Sequence, residues 1–141
     1  MTIDCVVQSK GHVTCKDPKG SCCFVVKNKS GRDIKKFVID GCIFTDEHKF
    51  KRCDFAVSHS ELLWLVELKG TDFTDAVEQL ISTLKNESFL PRGVKITPVI
   101  VLTKSPLAAQ RAKHLGILAK FLGDRWSGKI EVGTKSVHVA A

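Results

Sequence analysis

An apolar run that ends in charged residues is the feature that most constrains how this chain can fold. Leu62 to Val66 are five consecutive apolar residues, and Glu67 and Lys69 follow with only Leu68 between them. Such an uninterrupted run is typical of a strand that is buried on both faces. Alternation along a strand places Glu67 and Lys69 on the same side. Because ionised groups on a buried strand lose their hydration, we expect a charged partner to compensate for them.

A second acid belongs to the segment just before this run. Asp54 stands between Cys53 and Phe55, in a strand predicted over residues 52–58. A divalent cation held by Asp54 and Glu67 would provide the compensation, because carboxylate and carbonyl oxygens are the ligands that Mg²⁺ prefers. The two segments therefore predict a magnesium site between neighbouring strands.

The length and composition of the chain are those of one ordinary domain. With 141 residues, 1–141, it is long enough to form one domain with a buried core that does not need disulfide bonds for stability. No apolar run approaches the roughly 20 residues that span a bilayer, so we expect no membrane partner. Residues 1–10 do not have the pattern of a signal peptide, and we expect a cytoplasmic location.

The positive charge of the chain indicates a polyanionic partner. The net charge is +7, from 22 basic and 15 acidic residues, and this favours nucleic acid, most simply DNA. Solubility alone is the alternative interpretation. The basic residues form three clusters in the sequence: Lys27, Lys29, Arg32, Lys35 and Lys36; Lys49, Lys51 and Arg52; and Lys104, Arg111, Lys113, His114 and Lys120.

Six cysteines lie in the first half of the chain: Cys5, Cys15, Cys22, Cys23, Cys42 and Cys53. No Cys-x-x-Cys pair is present, and without a secretory signal we expect no disulfides. Cys42 and Cys53 lie in apolar, strand-like segments and are interpreted as small buried hydrophobes. A zinc site built from Cys5, Cys15 and either Cys22 or Cys23, with His12, stays open as an alternative.

The hydrophobic periodicity predicts an α/β fold, a mixed β-sheet flanked by helices. Strands are predicted over residues 22–27, 36–44 with an interruption at Asp40-Gly41, 52–58, 62–68 and 95–103. Apolar residues at helical spacing predict a helix from Phe73, capped by Thr71 or Asp72. A second helix is predicted with Ser105 as its N-cap and Gly123 after its last turn. The strands of 36–68 are expected to be antiparallel and 95–103 parallel to its neighbour, with residues 130–139 forming a C-terminal β-hairpin.

This order of elements, with its acids and lysine, resembles the PD-(D/E)xK nuclease superfamily. That superfamily includes restriction endonucleases, archaeal Holliday-junction resolvases and RecB-type nuclease domains. The likeness covers about half of the chain, residues 36–103, and implies a restriction-endonuclease-like core. A longer pattern also looks like a group of small bacterial proteins, which adds no chemistry: Ser21-Cys22-Cys23-Phe24, Asp40-Gly41, Cys53-Asp54, Glu67-Leu68-Lys69-Gly70 and Ala76-Val77-Glu78-Gln79-Leu80.

The resemblance implies a role for each matching residue. Asp54 and Glu67 would offer carboxylates to Mg²⁺, which Mn²⁺ can replace, and the carbonyl of Leu68 would be a third ligand. Lys69 would lie beside the attacking water and the scissile phosphate. Gln79 stands where RecB-like members carry a helical glutamine near the site. The implied activity is that of a magnesium-dependent endonuclease or exonuclease that hydrolyses phosphodiester bonds in DNA, and a homodimer is implied by analogy.

Two departures from that family bear on the activity. Cys53 replaces the proline that precedes the first acid, and no acid-bearing helix comes before the first strand. Asp33 and Asp40 are the nearest acids, and we interpret Asp40-Gly41 as a strand kink or bulge. A catalytically inactive module with the nuclease fold, binding nucleic acid or a protein, is therefore the alternative function. A zinc-stabilised interaction protein is a third hypothesis.

Overall fold

A computed structural model describes residues 5–68, 72–106 and 108–141. Its strands are β1 (Val6–Ser9), β2 (Val13–Lys16), β3 (Cys23–Lys27), β4 (Ile34–Val38), β5 (Phe55–His59), β6 (Leu62–Leu68), β7 (Lys95–Leu102), β8 (Glu131–Thr134) and β9 (Ser136–Ala140). The helices are α1 (Phe73–Asn86) and α2 (Ala108–Leu122), and a short 3₁₀ helix, Gly123–Arg125, follows α2. Neither helix of this part of the chain is long and apolar enough to cross a membrane.

Six of the strands form a mixed sheet in the order β1-β4-β5-β6-β7-β8. Strands β4, β5 and β6 are an antiparallel meander, and β7 lies parallel to β6 after the crossover through α1. The predicted α/β class, the meander and the parallel crossover are therefore confirmed. Strands β2, β3 and β9 form a separate three-stranded sheet, which the sequence did not lead us to expect.

The central strand β6 is covered on both of its faces. Leu63 and Leu65 pack among the apolar residues of α1 and α2, and Trp64 and Val66 pack on the side of the three-stranded sheet. Both faces are buried because helices cover one and the second sheet covers the other, which explains the uninterrupted apolar run. The side chain of Asp72 accepts a hydrogen bond from the Asp75 N–H and caps α1, as the sequence predicted.

Two local predictions are wrong at their boundaries. The second predicted strand ends at Val38 as β4, and Gly41, with a φ of 83°, belongs to a turn that follows it rather than to a kink within it. Ser105 is not an N-cap, because its Oγ is 3.1 Å from the Oγ1 of Thr134 and the chain at Pro106 is not yet helical.

The predicted C-terminal β-hairpin is also wrong. Strand β8 pairs in parallel with β7, whereas β9 pairs in parallel with β3 in the other sheet. The single residue between them, Lys135, has a φ of 69° and turns the chain from one sheet to the other. The alternating pattern of residues 130–139 identified two strands correctly, but it carries no information about which sheet each strand joins.

The cysteine predictions are corrected by a disulfide between Cys5 and Cys42. Strand β1 pairs with β4, Val6 lying opposite Phe37, and this antiparallel pairing brings Cys5 to the turn that follows β4. A zinc site that uses Cys5 is thereby excluded, and Nδ1 of His12 accepts a hydrogen bond from the Asn28 N–H. Cys53 is fully buried, as predicted.

Removing the disulfide through Cys42→Ser is expected to lower the free energy of unfolding by about 2–4 kcal/mol. The bond joins residues 37 positions apart and restricts the unfolded chain. Urea unfolding under oxidising conditions measures the difference. Cys23→Ser removes a half-buried free thiol and is the control, expected to change stability by less than about 1 kcal/mol. A titration that finds all six thiols free in the unreduced protein contradicts the assignment.

Candidate active site

Backbone hydrogen bonds place Asp54 where three strands of the main sheet meet. Its N–H donates to the carbonyl of Val66, with an N–O distance of 3.1 Å, which ties it to β6. Its carbonyl accepts hydrogen bonds from the N–H groups of Ile39, at 2.9 Å, and Asp40, at 3.3 Å. Asp54 therefore lies directly before β5, beside the last residues of β4 and β6.

The side chain of Asp54 points across the end of β6. Its Oδ2 accepts a hydrogen bond from the Leu68 N–H at 2.8 Å. The side chain of Glu67 interacts with the Asp54 carboxyl and lowers its pKa. Glu67 is 1% exposed, and strand alternation places it on the helix-covered face with Leu65. The two acids that the sequence singled out thus lie together at one end of the sheet.

Burial changes the acidity of this pair. Loss of hydration is the largest cause that raises the pKa of Asp54 from 3.8 to about 6. The Leu68 N–H and the interaction with Glu67 lower this pKa, whereas the negative charges of Asp40 and Asp17 raise it. Four acidic side chains therefore act on one another at this edge of the sheet. Asp54 gives up its proton less readily than an exposed aspartate does.

A divalent cation fits the donor set that Asp54 and Glu67 provide. A positive charge between two adjacent, partly desolvated carboxyls favours the ionised form of both. Hard cations such as Mg²⁺ take carboxylate and carbonyl oxygens. Among residues 5–68, 72–106 and 108–141, no group of three or more His, Cys, Asp or Glu side chains is arranged to hold a metal ion. The site would therefore rely on two carboxylates together with a backbone oxygen and water.

Helix α1 supports the site from the buried side. The Cys53 N–H donates to Oγ1 of Thr83 at 2.7 Å, and that hydroxyl donates to the carbonyl of Gln79 at 2.8 Å. Burial raises the pKa of the Cys53 thiol well above its usual value, with Glu67 and Asp54 adding to the shift, so the thiol stays protonated. Cys53 therefore takes part in the packing between this segment and α1.

Only the nitrogen of the Gln79 side-chain amide has a hydrogen-bond partner among the described residues. Its Nε2 donates to Oδ2 of Asp75 at 3.3 Å. Its Oε1 is buried and accepts no hydrogen bond from any residue that the structure describes. A buried amide oxygen without a donor is unfavourable, and such atoms often mark a place where water or a ligand binds.

The nuclease superfamily that the sequence resembles often carries a further acid on a helix before its first strand. Neither Asp40 nor Asp33 supplies a substitute for that acid. Asp40 borders the site, but its Oδ1 accepts a hydrogen bond from Nε of Arg52 at 2.8 Å in an ion pair. Asp33 lies at the other end of β4 and accepts a hydrogen bond from Gln8. The structure thus leaves Asp54 and Glu67 as the close pair.

Two predicted contributions stay predictions. Lys69 lies outside the described residues. The metal-ligand role of the Leu68 carbonyl is likewise untested, although the Leu68 N–H takes part in the site. The basic cluster at Lys49, Lys51 and Arg52 is largely paired with acids, since Lys51 bridges Asp75 and Glu78.

The sequence analysis missed residues that approach the site from the three-stranded sheet. An open cleft of about 370 Å³ has Asp54 and Asp40 on one wall and Lys16, Asp17 and Lys19 on the other. The segment Asp17-Pro18-Lys19-Gly20 has the composition of a turn, which is a usable local signal. Nothing in that signal says that the turn packs beside Asp54.

The raised pKa of Asp54 predicts a pH-dependent stability in metal-free buffer. Because the folded-state pKa, about 6, lies above the ordinary 3.8, the folded protein holds this proton more tightly than the unfolded chain does. The contribution of Asp54 to stability is therefore greatest below pH 4 and is lost as the pH rises towards about 6. The loss amounts to roughly 3 kcal/mol.

Urea unfolding at a series of pH values, with EDTA present, measures this effect. Asp54→Asn has no titrating group at that position, so its stability should rise relative to the natural protein between pH 4 and pH 7. Asp33→Asn is the matched control, because it removes the same carboxyl at the other end of β4. A constant difference for Asp54→Asn would contradict the shifted pKa.

Comparison of the chain with protein-family models, with curated proteins and with solved structures gave no match. What this protein does must therefore be argued from the geometry and chemistry of the site itself.

Proposed function

We propose that this protein hydrolyses phosphodiester bonds in DNA with the help of Mg²⁺, which Mn²⁺ can replace. The ion would be held by the carboxylates of Asp54 and Glu67 and by the carbonyl of Leu68. The observation that carries the proposal is the close pair of carboxyls in which Asp54 lines an open cleft and Glu67 lies buried beside it. When bound, such an ion polarises a phosphate oxygen and lowers the pKa of a coordinated water.

The protein contributes orientation before an ion binds. The Leu68 N–H fixes one oxygen of Asp54, and both residues belong to a hydrogen-bonded sheet that holds them in place. Glu67 is carried by β6, which is buried on both faces, so little reorganisation is needed when an ion arrives. Deprotonated Asp54 is the form that binds a cation, and its pKa of about 6 leaves that form dominant at neutral pH.

Further side chains would complete the reaction. Lys69 would hold the attacking water and the scissile phosphate in position, since an ammonium group stabilises the charge that develops on phosphate oxygens. The partnerless Oε1 of Gln79 supports a role in orienting a water molecule. The net charge of +7 would attract the polyanionic substrate in a salt-dependent manner.

A binding module without catalysis is the second candidate. It is favoured by the finding that the described part of the chain holds no cluster of three metal-ligating side chains. In this case the two carboxyls would have no catalytic role, and the protein would bind nucleic acid or a protein partner without hydrolysing a phosphodiester bond. Both candidates predict binding, and only the first predicts cleavage.

Asp54→Asn and Glu67→Gln are each expected to lower cleavage at least a hundredfold, about 3 kcal/mol of activation free energy, while leaving the fold intact. Each substitution removes a negative charge and keeps the shape of the side chain. The assay incubates plasmid, linear and branched DNA with the natural protein and each variant, with Mg²⁺, Mn²⁺ or EDTA.

Asp33→Asn removes the same charge far from the site and should cut as the natural protein does. Cleavage that survives both site substitutions would show a contaminating nuclease or another site and contradict the proposal. DNA binding without any cleavage by the natural protein would favour the second candidate.

A further inference from the structure

The turn between β2 and β3 forms the outer wall of the candidate active site. The cleft of about 370 Å³ is bordered by Asp54 and Asp40 from the main sheet and by Lys16, Asp17 and Lys19 from this turn. The turn belongs to the three-stranded sheet, which lies outside the region that resembles the nuclease superfamily. The site is thus enclosed by a part of this chain that the resemblance does not describe.

The carboxylate of Asp17 is used to shape the turn. Its Oδ1 accepts a hydrogen bond from the Lys19 N–H at 3.0 Å, and its main-chain carbonyl accepts one from the Gly20 N–H at 3.3 Å. A Cβ at residue 20 would lie 2.7 Å from Oδ2 of Asp17, so glycine allows this close approach. These contacts fix the backbone that carries Lys16 and Lys19 at the cleft.

Lys16 and Lys19 form no salt bridge with an acid in the part of the chain that the structure describes. Both are exposed. On the opposite wall, Asp40 is already paired with Arg52. The cleft therefore offers two uncompensated ammonium groups on one side and a carboxyl centre on the other. An anion that is itself attracted to a bound cation would contact both walls.

The positive charge continues along the same edge of the molecule. The Cys23 N–H donates to the carbonyl of Lys135 at 3.0 Å, and the Lys135 N–H donates to the carbonyl of Leu102 at 2.7 Å. The turn between β8 and β9 therefore lies between the start of β3 and the end of β7. Lys104, two residues after Leu102, is exposed, as is Lys135. We call the set Lys16, Lys19, Lys104 and Lys135 the lysine rim.

We propose that the lysine rim binds the phosphate backbone of DNA, with Lys16 and Lys19 holding the phosphates next to Asp54. The assignment of this surface to a substrate depends on the proposed function, but backbone binding itself does not require cleavage. Ammonium groups that contact phosphates release counterions, so the affinity should fall as salt rises. The partner is identified by its repeating charge, one phosphate per nucleotide, rather than by the shape of any base.

The test measures binding of a fluorescent DNA duplex by anisotropy in EDTA, so that no cleavage occurs. Lys16→Ala/Lys19→Ala is compared with Lys27→Ala/Lys29→Ala, which removes the same two charges from exposed residues at the other end of β3. The rim variant should bind at least about tenfold more weakly at low salt, and its slope of log affinity against log salt should fall by roughly 2. The control should change affinity by less than about twofold.

Equal losses in the two double variants would overturn the proposal, because binding would then follow net charge alone. Lys16→Arg/Lys19→Arg keeps the charges and should restore most of the affinity, and thermal melting checks that each variant is folded. Tighter binding to an acidic peptide of equal charge than to DNA would also overturn it.

The outcomes for the lysine rim and for hydrolysis can be told apart. If DNA binds at the lysine rim but Mg²⁺ induces no cleavage, the proposed hydrolysis is contradicted and the proposed DNA binding is supported. If cleavage occurs and the rim variant binds and cuts DNA like the control, the proposed role of the lysine rim is contradicted and the proposed hydrolysis is supported.

Discussion

A hydrogen bond from the Leu68 N–H to the carboxylate of Asp54 ties the residue before β5 to the last residue of β6. It depends on β6 being buried on both faces, since helices and the second sheet hold the end of this strand in one position. The same constraint keeps Glu67 out of water and beside Asp54. The two carboxyls are therefore held by a strand that is buried on both faces, which keeps their positions fixed.

The carboxyl of Asp54 lies in a setting that disfavours its charged form. Desolvation raises the pKa of Asp54, and neighbouring acids raise it further. Strain of this kind persists at functional sites because a ligand offsets it. The surroundings are consistent with that account: Asp40 is paired with Arg52, whereas the salt bridges among the described residues include neither Lys16 nor Lys19. The proposed cation site would thus be bordered by side chains that attract an anion.

Local signals in the sequence predicted the centre of the fold and the core of the site. The apolar run of β6 and the helical spacing of apolar residues in α1 are local patterns, so the sequence was enough to locate both elements. The proximity of Asp54 and Glu67 follows from the position of β6 beside the preceding strand. The three-stranded sheet, the Cys5–Cys42 disulfide and the wall made by Lys16 and Lys19 depend on pairings between distant segments. Cys23, for example, lies opposite Ser136, and no pattern within either strand specifies the other. The hairpin prediction failed for the same reason.

The central claim is that Asp54 and Glu67 together hold one divalent cation. Titrating Mn²⁺ into the metal-free protein near pH 6, and following bound ion by electron paramagnetic resonance and released protons by pH, tests it directly. The account predicts one ion per chain, proton release on binding, and loss of that binding in both Asp54→Asn and Glu67→Gln but not in Asp33→Asn. Mn²⁺ binding that is absent from the natural protein, or unchanged in the two site variants, would contradict it.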